Sequence, residues 1–158
     1  MALRNVRTDG DEILRKQCKS VSEINGNILT LLDDMYETMK KNEGVGLAAP
    51  QIGILKRIIV IDIGQGPVYL INPEIINQEG EQIGVEGCLS IPNVWGEVNR
   101  PNKVRAEGLN RYGEKVTIEA EELFARVLCH EIDHLNGILF KDKVIEFIEL
   151  EGKKQKWV

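Results

Sequence analysis

The sequence predicts an α+β fold in which antiparallel strands pack around one central helix. Three observations carry this expectation. Apolar residues recur at three- and four-residue intervals near both ends of the chain, β-rich runs broken by short turns fill the middle, and the only two histidines stand four apart in the later helical stretch. At 158 residues and 42% hydrophobic content the chain can bury one core without staples, so residues 1–158 are expected to form a single domain.

The first helix is expected from about Ser22 to Lys41, where Ile24, Ile28, Leu31, Leu32, Met35 and Met39 share a face and Gly44 follows as a stop. The next run, GVGLAAP from Gly44 to Pro50, reads as extended: Val45 and Leu47 alternate, while Gly44 and Gly46 admit the close approach of another backbone. A phosphate loop is the competing interpretation, but no Lys-Ser or Lys-Thr follows at the required spacing. An edge that takes up an extended peptide by strand addition is preferred. Between Lys56 and about Glu119, the runs RIIVIDI, VYLINPEII, EQIGVEGCLSI, KVRAEGLN and EKVTIEA read as strands. Their connections are too short for crossover helices, which makes them antiparallel neighbours.

From about Glu121 the helical period returns. Leu123, Phe124, Val127, Leu128, Ile132 and Leu135 form a wide apolar face that ends at Asn136-Gly137, with Gly137 suited to the C-terminal cap. Arg126 interrupts this face and is read as solvent-facing, without a role. The last segment, DKVIEFIELEGKKQKWV, is expected to form a short helix through Val144, Phe147, Ile148 and Glu151 before a lysine-containing tail.

Bulk properties exclude several classes of function. The net charge is −5 and no basic stripe is present, so DNA gripped through its phosphates is not an expected partner. The longest apolar runs, such as IIVIDI at Ile58–Ile63, are too short to cross a bilayer, and MALRNVRTDGDEIL lacks the apolar segment of a signal peptide. No membrane partner is expected, and the expected location is cytoplasmic. Cys18, Cys88 and Cys129 cannot all pair, and their spacing matches neither a disulfide framework nor a paired CxxC site, so reduced thiols are expected.

The chemistry lies in CHEIDHLNGILF, Cys129 to Phe140. On a helix His130 and His134 lie one above the other and can point nitrogens at one ion, which makes this the central metal-binding helix. Glu131, about 100° around the axis from His130, reaches a water on the metal without binding the ion itself. That division of labour is the content of the HExxH motif, and it outweighs a reading of the two histidines as core residues. A third ligand is needed. Phe140 stands where the HExxHxxGxxH class places its last histidine, which excludes that class. Glu146, Glu149 and Glu151 are conceivable ligands but follow closely on a short helix. Cys88, in the Gly-containing turn VEGCLSIP, is well placed to be presented at a sheet edge, although a buried structural cysteine is its ordinary reading. Cys129 is turned away from the histidine face.

Taken together, GVGLAAPQIG at Gly44–Gly53, EGCLS at Glu86–Ser90 and HEIDH at His130–His134 resemble the peptide deformylases, with RIIVID, INPE and GILF extending the likeness over most of the chain. The resemblance implies that Cys88, His130 and His134 are the metal ligands and that Glu131 is the general acid/base. It implies that Gln51 and the backbone N–H of Leu89 stabilise an oxyanion; read alone, Gln51 is a polar loop residue. Gly44, Val45 and Gly46 would flank the substrate, with Leu123 and Val127 lining the pocket for a methionine side chain. Trp95, in a stretch that varies within the family, is either a rim of that site or a packed aromatic.

The implied activity is metal-dependent hydrolysis of the formyl group from the N-terminal formylmethionine of nascent polypeptides, releasing formate. His and Cys donors accept zinc readily and raw affinity places Zn(II) above Fe(II), so affinity does not identify the ion. The resemblance implies one divalent ion, Fe(II) in the working enzyme, with Zn(II), Ni(II) or Co(II) as alternatives. Partners are N-formylmethionyl nascent peptides and, because family members work there, a transient ribosome contact. The basic cluster KKQK at Lys153–Lys156 reads as a solvated terminus, with ribosomal RNA as its alternative partner. An endopeptidase and a noncatalytic metal-binding protein are the competing functions. Cys88 with Gln51 argues against the first, and Glu131 beside a three-ligand site against the second.

Overall fold

The structure, a computed structural model, describes residues 2–149. Glu151 and the lysine cluster at Lys153–Lys156 lie outside the described residues.

A 3-10 turn at Glu12–Arg15 precedes the first helix, α1, which spans Gly26–Lys41. It begins later than the apolar periodicity suggests, because the side chain of Asn25 caps it by accepting from Ile28 N. Strands β1 (Gly46–Ala48), β2 (Ile58–Ile61), β3 (Val68–Glu79), β4 (Gln82–Cys88), β5 (Ile91–Arg100), β6 (Lys103–Leu109) and β7 (Lys115–Glu121) lead to helix α2, Glu122–Leu135. After a 3-10 turn at Phe140–Lys143 the chain enters β8, Val144–Ile148.

The strands make a five-stranded sheet in the order β1-β2-β3-β6-β7 and a three-stranded sheet in the order β4-β5-β8, with every named pairing antiparallel. The short connections had already required antiparallel pairing. The run IIVI of β2 is wholly buried because it is covered on both faces. Ile58 and Val60 pack with Leu32, Met35 and Met39 of α1, whereas Ile59 and Ile61 pack with Val127 and Leu128 of α2. Fully burying each such side chain stabilises by about 1.5–3 kcal/mol. A smaller cluster of Leu14, Cys88, Ile91, Val98, Leu139 and Phe140 involves both strands of the β4-β5 hairpin. Helix α2 contacts strands of both sheets and so occupies the centre of the fold.

Two expectations are corrected. The run EQIGVEGCLSI is not one strand: β4 ends at Cys88, Leu89 and Ser90 turn, and β5 continues to Arg100 through NVWGEV. Pro92 and Gly96, together with Asn93 at φ +64°, mask this strand in the sequence. The expected C-terminal helix is also replaced, over Val144–Ile148, by β8 paired on β5. Val144, Phe147 and Ile148 fit a helical period, but five residues rich in β-branched and aromatic side chains fit an edge strand as well, and β5 supplies the partner. The α2 boundary is as expected: Gly137 takes φ +73° after Asn136, and a Cβ there would collide with the backbone of Arg15. No described helix is long and apolar enough to cross a membrane.

Candidate metal centre

Three elements converge beneath β1. Cys88 ends β4, an edge of the small sheet, and is fully buried. His130 and His134 sit on the buried face of α2, with Glu131 beside them, and none of the three is more than 1% exposed. Gln51 comes from the 3-10 turn Ala49–Ile52, which Pro50 starts and the left-handed Gly53 (φ +86°) ends.

The ligand atoms of Cys88, His130 and His134 lie within 4.8 Å of one another. Cys88 Sγ and His134 Nε2 are 3.4 Å apart. Two donors at ordinary metal–sulfur and metal–nitrogen lengths in a tetrahedral site stand about 3.5 Å apart, so the spacing suits two ligands sharing an ion. Nδ1 of His130 meets Glu86 Oε1 at 2.8 Å, while no described residue hydrogen-bonds its Nε2. Burial alone would raise the Glu86 carboxyl, but hydrogen bonds from Arg100 and His130 outweigh it and hold the group well below the ordinary carboxylate range. With Nδ1 engaged by Glu86, Nε2 is the ring nitrogen left for a metal.

Burial, followed by the proximity of His130, pushes His134 well below the usual histidine value and keeps it neutral, as a ligand must be. Burial and then the Glu131 charge push the Cys88 thiol up, so a thiolate here calls for a neighbouring cation. The donor set therefore fits one divalent ion. The other thiols do not compete: burial raises both Cys18 and Cys129 to about 11. Glu146 and Glu149, considered above as ligands, are exposed on or just beyond β8. Phe140, in place of a further histidine, stacks on the His130 ring with centroids 6.0 Å apart.

Glu131 is 0% exposed, and no described residue hydrogen-bonds either of its carboxylate oxygens. Burial, then the charge of Glu86, pushes its carboxyl well above the ordinary value, the direction required of a group that exchanges protons near neutrality. Gly46 makes room for it, since a Cβ there would overlap Glu131 Oε2 and lie 2.8 Å from Val127 Cγ1. Gly44 is buried with its Cβ direction 3.0 Å from Leu89 Cδ1, and Val45 is buried between these glycines. The expected residues are thus brought together, except that Leu123 lies at the outer end of α2 and is 48% exposed. Trp95 is half-buried, with its indole over Gly87.

Sequence reasoning missed the charged cluster behind His130. Arg100 donates to both Glu86 oxygens at 2.9 Å and to Asp133 at 2.7 Å. Arg126, expected to face solvent, is 5% exposed and donates to Glu86 Oε2 at 2.6 Å and to the carbonyl of Val98 at 3.0 Å. Gly84 leaves room for its guanidinium. The one available signal was an arginine inside an apolar helix face.

A buried carboxylate, unpartnered among the described residues, beside one thiol and two imidazoles close enough to share an ion is the constellation of a metal-dependent hydrolase. The polypeptide deformylase model matches residues 3–148, and the chain belongs to that family, whose members remove the N-formyl group from nascent peptides. A peptide deformylase of Acetivibrio thermocellus is 66% identical over 156 residues, covering 99% of this chain and 92% of the relative. One from Thermoanaerobacter pseudethanolicus is 61% identical over 155 residues, covering 98% of each. The crystal structure of peptide deformylase from Thermotoga maritima superposes with a TM-score of 0.89 at 42% identity, covering 91% of this chain and 99% of that one.

Proposed function

We propose that residues 1–158 act as one domain in which Cys88, His130 and His134 hold the divalent ion and Glu131 moves the proton of deformylation. The observation that carries this reading is the Glu131 carboxylate, buried next to the three donors with both oxygens unpartnered among the described residues. A bound divalent ion supplies Lewis acidity, acidifying a water and polarising the formyl carbonyl.

Glu131 takes a proton from the attacking water as its oxygen bonds to the formyl carbon. The carbonyl oxygen becomes an oxyanion, to which the Gln51 amide and the Leu89 N–H donate. When the C–N bond breaks, Glu131 passes its proton to the departing amine, and formate leaves. The edge formed by Gly44, Val45 and Gly46 takes the extended peptide, and Val127 lines the methionine pocket with Leu123 at its mouth. The substrate is the N-formylmethionyl end of a nascent polypeptide, met in the cytoplasm through a transient ribosome contact, with neither DNA nor membrane as a partner.

Glu131→Ala is expected to keep its metal and fold but release almost no formate from a formyl-Met tripeptide. Retained turnover per bound metal refutes the role of Glu131, and cleavage of unblocked casein without formate release would favour an endopeptidase. Fe(II) is the proposed working ion, with Zn(II), Ni(II) and Co(II) as substitutes. A thiolate beside ferrous iron is open to air oxidation at the iron or at Cys88. Anaerobic Fe(II) protein is therefore expected to outpace Zn(II) protein at matched metal content and to lose activity in air. Equal turnover of the two preparations assigns zinc instead.

A further inference from the structure

We infer that Ser90 is a positioning residue of the reaction, holding the Gln51 amide in one fixed arrangement beside the Cys88 sulfur. The inference rests on the oxyanion role proposed for Gln51. Ser90 is 0% exposed in the turn between β4 and β5, two residues after Cys88. Its Oγ accepts from Gln51 Nε2 at 3.1 Å. A hydroxyl oxygen carries two lone pairs, and one of them takes the Gln51 N–H.

The other end of the amide is also fixed, because Gln51 Oε1 accepts from Ala48 N at 3.0 Å. This sets which end is nitrogen and turns the NH2 group toward Ser90 and Cys88. One of its two hydrogens is held by Ser90 Oγ. The other lies on the sulfur side, where Nε2 is 3.5 Å from Cys88 Sγ. That contact is weak enough to yield to a carbonyl oxygen arriving beside the ligand cluster. Without the Ser90 hydroxyl, only Oε1 pins the amide, and its buried donor has lost its best acceptor.

The two backbones are tied independently. Arg7 N donates to Gln51 O at 2.6 Å and Asp9 N to Ser90 O at 2.7 Å, so one N-terminal segment spans both turns. Removing the hydroxyl therefore frees the Gln51 side chain without releasing the chain that carries it.

The test is a double-mutant cycle of Ser90→Ala and Gln51→Ala in cobalt-loaded protein of measured metal content, with Ser90→Thr as the conservative variant. Ser90→Ala is expected to lower kcat about tenfold with KM unchanged, less than the ~10²-fold of losing the Gln51 donor itself. In the Gln51→Ala background the same change is expected to cost nothing further, since its effect runs through Gln51. The sulfur-to-cobalt charge-transfer band is expected to move to lower energy in Ser90→Ala, because the loosened Gln51 amide no longer holds its hydrogen on the sulfur, and to return in Ser90→Thr. Wild-type kcat in Ser90→Ala overturns the inference, as does an equal loss in both backgrounds or an unmoved band. If Gln51→Ala itself keeps wild-type kcat, it is the oxyanion role of Gln51 that fails.

Discussion

Gly46 has its identity fixed by a neighbour rather than by its own backbone angles. A Cβ on it would enter the space of the Glu131 carboxylate, with Val127 closing the other side. Gly46→Ala is therefore expected to displace Glu131 while leaving Cys88, His130 and His134 in place. A displacement of about 1 Å at a reacting group costs roughly 10²-fold in rate. We expect a loss of that order in kcat at unchanged metal content, and wild-type turnover would show that the carboxylate has another position from which it works. At this scale the juxtaposition of His130 and His134 was legible in the sequence, because i and i+4 share a helix face by geometry alone. Arg126 was not. Its partners Glu86 and Val98 come from strands 40 and 28 residues away, and a helical period carries no record of a distant carboxylate waiting for a cation. A buried charge is tolerated only when paired, so the misplaced arginine and the role-less Glu86 were two halves of one missing contact.

The elements divide according to how much of their stability is local. Helix α2 announced itself through a long apolar stripe and its Gly137 cap, and the run of β2 through unbroken β-branched residues. Strand β8 did neither, since five residues do not distinguish a period of two from one of 3.6. What makes it a strand is β5, whose Gly96 lies against Val144: a Cβ at Gly96 would stand 2.7 Å from both methyls of that valine. Gly96→Ala is accordingly expected to push β8 off its partner and cost about 1–3 kcal/mol, as overpacking does. Urea unfolding measures this, with kcat per bound metal as the control, because β8 carries no ligand. An unchanged midpoint would mean that the C-terminal segment does not pack on β5 in solution.

At the scale of the whole molecule, the N-terminal segment joins parts that no local pattern links. Ala2 N donates to Asp34 Oδ1 at 2.8 Å, Arg4 N donates to Thr38 Oγ1 at 2.9 Å, and the Arg4 guanidinium grips Asp34 Oδ2 at 2.8–3.0 Å. A few residues on, the same segment reaches the Gln51 and Ser90 turns, so α1 and the edges of both sheets share one strap. Little of this was readable beforehand, because residues 2–9 have no periodicity and their partners are chosen by the folded surface. Asp34 is 2% exposed; burial alone would raise its carboxyl, but donation from Ala2 and Arg4 outweighs this and leaves it below its ordinary value of 3.8. The sign follows. A carboxylate depressed in the folded state stabilises at pH above the unfolded value, and that contribution is lost as pH falls through the folded one. Because Arg4 is about a third exposed, the ion pair is screened and its worth is roughly 1 kcal/mol or less. Asp34→Asn is expected to be less stable than wild type by that amount at pH 7. The gap should narrow as pH drops below about 4, where the wild-type carboxyl gains its proton. Metal loss in acid acts on both proteins alike and cancels in the difference. A gap that stays constant from pH 7 to pH 3 would show that the strap is held by shape and neutral hydrogen bonds rather than by the Asp34 charge.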